Sequence, residues 1–200
     1  MCWKLFMAPV LVAVSTAWSK PVLYFNFEGD NPVFDRKGNI RKLMGPTAPE
    51  YPDFPKTNHA LEFDGSSRLV VKDPGEGSPL DFENGDSITM EAWVSPGAVG
   101  EGDNVYLIGK GRTNNKGFAT NNQNYALRLR GQNGEGCVSF LFFSRPENHK
   151  PGDWHRWTSN TGVLSGNGWS HVAVTYEFGK PGSIKGYVDG KPVSGKWDMG

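Results

Sequence analysis

The chain has 200 residues, 21 basic and 21 acidic side chains, and a formal net charge of zero. This even balance, with no basic stripe, excludes the electrostatic footprint of a nucleic-acid-binding protein. Its length and 37% hydrophobic share, with 26 glycines and 14 prolines, point to one turn-rich domain with a sizeable core.

Lys4 precedes an apolar run, Leu5 to Val14, followed by small and polar residues. That pattern predicts a signal peptide over residues 1–19, cut before Lys20 at Ala17-x-Ser19, with Ser15-x-Ala17 as a second choice. The run is far shorter than the ~20 apolar residues a spanning helix needs, so no stable membrane span is expected. The destination is then periplasmic, cell-surface or extracellular. Cys2 would leave with the leader, so Cys137 has no partner for an intrachain disulfide; it reads as a buried small hydrophobe in the apolar run Cys137 to Phe143.

Beyond Lys20, segments rich in β-branched and aromatic residues alternate apolar with polar between Gly, Pro, Asn and Asp. In chain order the predicted strands are Val22 to Glu28, Ala60 to Asp64, Arg68 to Lys72, Ser87 to Ser95, Val105 to Lys110, Tyr125 to Arg130, Cys137 to Ser144, Trp169 to Phe178 and Ser183 to Asp189. No helix is expected, and strands alone imply a sandwich or barrel. Ile88, Met90, Ala92 and Val94 share one face of their strand, and Val172, Val174 and Tyr176 form a similar row. Cys137 to Phe143 is apolar on both faces and reads as central. Asp189-Gly190 signals a type I′ hairpin, and Gly131 to Gly136 a looser turn. Asp30 to Asn58, Gly97 to Asn104 and Arg145 to Gly168 read as long connections.

Four blocks in order carry a family resemblance: Ala60-Leu61-Glu62-Phe63-Asp64-Gly65 with Arg68 to Val71; Ser87 to Val94; Trp169 to Tyr176; and Gly186 to Pro192. Together they resemble the laminin G-like, concanavalin A-like lectin-glucanase domains of the bacterial exported type. The resemblance implies an all-β, antiparallel two-sheet jelly-roll sandwich over residues 20–200. It also implies a closing strand beside the first one; no matching motif follows Trp197, so the domain reads as lacking its last strand, with further domains of a longer protein as a possible partner.

Members of the family mostly bind carbohydrates or extracellular proteins, so the expected function is that of a non-catalytic binding or adhesion module for a polysaccharide or extracellular protein. The alternatives are an architectural accessory domain of a larger exported enzyme and, less favoured, a glycoside hydrolase. Related glucanases set two carboxylates on one strand face. Here Glu91 has Thr89 and Trp93 at the adjacent positions on its face, which argues for a structural acid and against an enzyme.

Trp154, His155, Arg156 and Trp157 fall together in the stretch after Ser144 and make the leading ligand-site candidate, since indoles stack on sugar rings while Arg and His donate hydrogen bonds. The competing reading is that one or both indoles cover the core. Four histidines show no zinc spacing. Calcium, the family's usual metal, would find oxygens at Glu28, Gly29, Asp30 and Asp64; a solvated turn is the plain alternative, and no other cofactor is called for. Arg128 and Arg130 alternate with Leu127 and Leu129 and read as one strand's polar face. The asparagines between Asn114 and Asn124 read as turn formers.

Overall fold

The computed structural model describes residues 5–13, 21–29, 34–112, 122–144 and 153–200, and no α-helix occurs among them. The strands are β1 (Leu5–Ala13), β2 (Leu23–Phe25), β3 (Phe34–Lys37), β4 (Ile40–Met44), β5 (His59–Phe63), β6 (Arg68–Val71), β7 (Ser87–Pro96) and β8 (Asn104–Gly111), then β9 (Gln123–Gln132), β10 (Glu135–Phe143), β11 (Trp154–Leu164), β12 (Ser170–Glu177), β13 (Lys185–Val188), β14 (Lys191–Val193) and β15 (Gly195–Met199). They build an eight-stranded sheet ordered β14-β13-β12-β7-β1-β5-β4 with β2 paired to β1, a five-stranded sheet ordered β15-β11-β10-β9-β8, and the ribbon β3-β6. Every pairing is antiparallel. This is the two-sheet sandwich that the family resemblance implies, one of the two architectures that the strand pattern leaves open.

The period of two fixes which faces meet. On β7, Ile88, Met90, Ala92 and Val94 are buried, whereas Thr89, Glu91 and Trp93 are half-buried on the other side. Leu127, Leu129, Val138 and Phe140 supply the facing row from the five-stranded sheet, each with no measurable exposure. Phe140 and Phe142 meet Tyr176 of β12 across the interface, with ring centroids 5.4 and 5.5 Å apart. Burying a side chain of this size stabilises by about 1.5–3 kcal/mol, so these rows hold the sheets together.

Turn chemistry completes the hairpins. Asp189 and Gly190 both have positive φ, as a type I′ turn requires. Asn133 and Gly134 do the same between β9 and β10, so the expected loose turn over Gly131 to Gly136 is a tight one. Cys137 is 1% exposed, and burial pushes its thiol pKa up, as suits a packed and unreactive side chain.

Three sequence expectations need correction. The connection Asp30 to Asn58 contains β3 and β4, short strands whose exposed positions are charged apart from Met44. The connection Arg145 to Gly168 contains β11, an inner strand of the five-stranded sheet between β10 and the edge strand β15. The segment after Val193 is also a strand, β15, paired to β11.

Leu5–Ala13, within the run read as a leader's apolar core, is β1 of the unprocessed chain. Its register with β7 extends from Leu5↔Pro96 to Ala13↔Thr89, and its other edge pairs Leu5–Met7 with β5 and Val10–Val12 with β2. It thus occupies the place beside Leu23–Phe25 where the resemblance puts a closing strand.

Candidate ligand-binding face

The five-stranded sheet turns Leu127, Leu129, Val138, Phe140 and Trp157 inward, so the intervening residues must point outward. Register aligns four of them across adjacent strands: Tyr106 on β8 opposite Arg128 on β9, Arg128 opposite Ser139 on β10, and Ser139 opposite Thr158 on β11. Arg128 Nη2 donates to Ser139 Oγ at 3.1 Å, and its guanidinium carbon lies 5.5 Å from the Tyr106 ring centroid. Arg112 stands over the same ring at 4.7 Å. These are cation–π geometries. The Tyr106 hydroxyl donates to Gln123 Oε1 at 3.2 Å.

The row continues to β15. Asp198 accepts from Thr158 Oγ1 at 3.1 Å and from Arg156 Nε at 2.6 Å, the latter an ion pair with both partners mostly enclosed. Most of this polar row lies out of bulk water. Arg128 is 4% exposed, Thr158 2% and Ser139 not at all. Burial is the main influence on Arg128 and lowers its pKa from the ordinary guanidinium value.

Trp154, His155, Arg156 and Trp157 lie on a strand and not in a loop, so β-alternation divides them. Trp154 pairs in register with Phe143 and Arg156 with Leu141, on the outward face; the Trp154 and Phe143 ring centroids are 4.8 Å apart. Trp157 points into the core opposite Phe140 and is 4% exposed. His155 stacks on Phe142 at 4.6 Å, with Nε2 3.0 Å from Ser144 Oγ, and burial lowers its pKa. The structure therefore brings Trp154 and Arg156 to one face with Arg128, and takes His155 and Trp157 away from it.

The residues considered for calcium are arranged otherwise. Glu28 binds the backbone N–H of His59 and lies 2.7 Å from His59 Nδ1. Asp64 Oδ1 accepts from Ser66 N, Ser66 Oγ and Ser67 N within its own turn, which holds its carboxyl down at about 2. Glu28 and Gly29 line a cavity of about 310 Å³ that also contains Arg36 and Lys42, two cations that oppose a dication. Asp30 lies outside the described residues. Among the described residues no group of three or more His, Cys, Asp or Glu could hold a metal ion. Glu28, Gly29 and Asp64 do not by themselves fit the roughly six to eight oxygens that calcium takes.

A second outward patch belongs to the eight-stranded sheet. Trp93 is met edge-on by Tyr51 and Phe54 at 5.7 and 5.1 Å, and lies 5.5 Å from His171. Glu91, beside Trp93, sits 3.6 Å from His171 Nε2. This carboxylate and Asp198 are on different sheets and cannot flank one bond.

Sequence reasoning placed Arg128 on a polar strand face, which is correct, but missed Tyr106, Gln123, Ser139, Thr158 and Asp198 as its neighbours. Only the isolated Ser139 within an otherwise apolar run could have hinted at them. The family profile described as concanavalin A-like lectin/glucanases superfamily, of the laminin G type, matches residues 69–200, which include all of β7 to β15. No curated protein and no solved structure matches the chain.

Proposed function

The chain belongs to the concanavalin A-like lectin/glucanases superfamily, and from that premise we propose that it is a non-catalytic module of an exported protein that binds polysaccharide on the outward face of its five-stranded sheet. The observation that carries this reading is an outward face on which partly exposed Tyr106, Trp154, Arg156 and Asp198 surround the enclosed polar row Arg128, Ser139 and Thr158. An aromatic ring set among fixed donors and acceptors is what a sugar requires, because each ring of a glycan has an apolar face and hydroxyls at its rim. Trp154 extends the aromatic surface along β11.

Hydrolysis would need two carboxylates roughly 5–10 Å apart about one glycosidic bond. Asp198 is engaged by Arg156 and Thr158, and Glu91 belongs to the other sheet. The leader-like apolar run Leu5 to Val14, with Lys4 before it, supports export.

Affinity electrophoresis of the full chain through gels containing charged and uncharged polysaccharides tests the reading. Retardation by at least one polymer, abolished by Tyr106→Ala with the melting temperature retained, is the expected result. Free migration through every polymer would overturn it.

A further inference from the structure

Among the described residues, the buried side-chain polar atoms without a hydrogen-bond partner are Gln123 Nε2, Arg128 Nε and Arg130 Nε. All three are N–H donors, and all three belong to β9. Buried polar atoms in folded proteins are as a rule paired. Among the described residues no buried side-chain acceptor is left over to match them, so the unmet need on β9 is for acceptors.

Arg128 is the centre of the deficit. Its observed partners, the Ser139 hydroxyl and the ring and hydroxyl of Tyr106, are neutral groups. Among the described residues no carboxylate forms an ion pair with it, since Asp198, on the same face, is held by Arg156 and Thr158. Arg156 and Arg130 add like charge to the surroundings. A guanidinium does not deprotonate within a protein's working range, so Arg128 remains a nearly enclosed cation without a counter-charge. Desolvating such an ion is unfavourable unless an opposite charge and hydrogen bonds compensate.

We infer that Arg128 receives an oxyanion, the carboxylate or sulfate group of an acidic polysaccharide, which supplies the acceptors that β9 lacks. The inference rests on the polysaccharide reading above and specifies its ligand class. The planar guanidinium offers parallel N–H groups to two oxygens at once, a match that a lysine ammonium cannot reproduce. Tyr106 and Arg112 stand beside the position such a group would take and give the attached sugar ring a surface to lie on. Half-buried Arg130 adds to the local positive potential that draws a polyanion to the face.

The test compares polygalacturonate, dextran sulfate and uncharged dextran as gel-embedded ligands for the full chain and for Arg128→Met and Arg128→Lys. Wild type is expected to bind polygalacturonate or dextran sulfate at least tenfold tighter than dextran. Arg128→Met should lose at least tenfold toward the acidic polymer while melting no lower, because an apolar side chain of similar volume removes an unpaired charge. Arg128→Lys should fall between the two. Undiminished acidic binding by Arg128→Met, or equal binding of dextran by wild type, overturns the inference.

If dextran binding is lost on Tyr106→Ala and acidic polymers have no advantage, the polysaccharide reading stands and the acidic one fails; if no polymer binds, both fail. Should Arg128→Met not fold, the wild-type chain decides alone: galacturonate must raise its melting temperature more than galactose does, and equal shifts overturn the inference.

Discussion

Gly186 and Trp157 are packed so closely that a β-carbon on the glycine would stand 2.5 Å from the indole Cη2 and 2.7 Å from Cζ3. The glycine is on β13 of one sheet and the indole on β11 of the other, so the ring spans the sandwich. Gly195 on β15 closes over the same indole. Gly186→Ala is therefore an overpacking change and should cost about 1–3 kcal/mol. Trp157→Ala, which empties the space, should cost about 3–5 kcal/mol. Urea unfolding measures both, and near-wild-type stability in Trp157→Ala would remove the indole from the core.

Trp154, three residues earlier, should behave differently. It lies on the outward face against Phe143. Trp154→Ala is expected to weaken polysaccharide binding by about 1 kcal/mol, the scale for an aromatic contact, with less loss of stability than Trp157→Ala. Titration calorimetry beside thermal melting separates the two effects; unfolding with no separable binding loss would make Trp154 a purely structural side chain.

Incubation with β-glucans should release no reducing sugar, and Glu91→Gln should change nothing in that assay, because Glu91 lies beside His171 and has Thr89 and Trp93, not a second carboxylate, at the adjacent positions on its strand face. Release of sugar that disappears in Glu91→Gln would establish a hydrolase.

The Asp64 turn gives a pH signature. The Ser66 hydroxyl, then the Ser66 and Ser67 backbone N–H groups, hold the Asp64 carboxyl down from the ordinary 3.8 to about 2. A folded value below the unfolded one means the contribution is complete above pH 3.8 and is lost as pH falls through about 2. The carboxyl is exposed, so the effect is local to the turn. An NMR titration should give a midpoint near 2 that rises in Ser66→Ala. A wild-type midpoint near 3.8 would show that the turn does not form in solution.

A chain beginning at Lys20 lacks β1 and leaves the inner edges of β5 and β7, and the one paired edge of β2, without a partner. Unpaired edges invite pairing with other chains. That chain is expected to elute from size exclusion as associated species, whereas the full chain should not; a stable monomer would show that the sheet closes without β1.

The strands that alternate cleanly were legible in the sequence. Ile88 to Val94 and Val172 to Tyr176 each set apolar residues two apart, and each is a strand with that face buried. β11 was not legible, for two physical reasons. Its register against β10 shifts between Cys137 and Ser139, which breaks the period of two, and it buries polar Ser159, only 1% exposed with its hydroxyl bonded to Thr161 O. A polar residue satisfied in the interior reads as loop. Arg128 illustrates the complementary limit: alternation assigns its face, but the near-complete burial of that face depends on surrounding structure that alternation does not encode.

β1 also bears on the order of events during synthesis. It is made first and β2 follows soon after it, yet its other partners, β5 and β7, come much later in the chain, β7 only at Ser87–Pro96. Non-local pairing of this kind forms slowly, because a long loop must close before any contact rewards it. An apolar segment preceded by Lys4 thus waits with both flanking strands, β5 and β7, still to be translated. Export machinery that recognises such a segment meets it before β7 exists, so the same nine residues can serve as an address when captured early and as a central strand when left to fold. Which fate prevails is then a race between capture and the emergence of Ser87–Pro96, and lengthening the chain between Phe63 and Ser87 should favour capture.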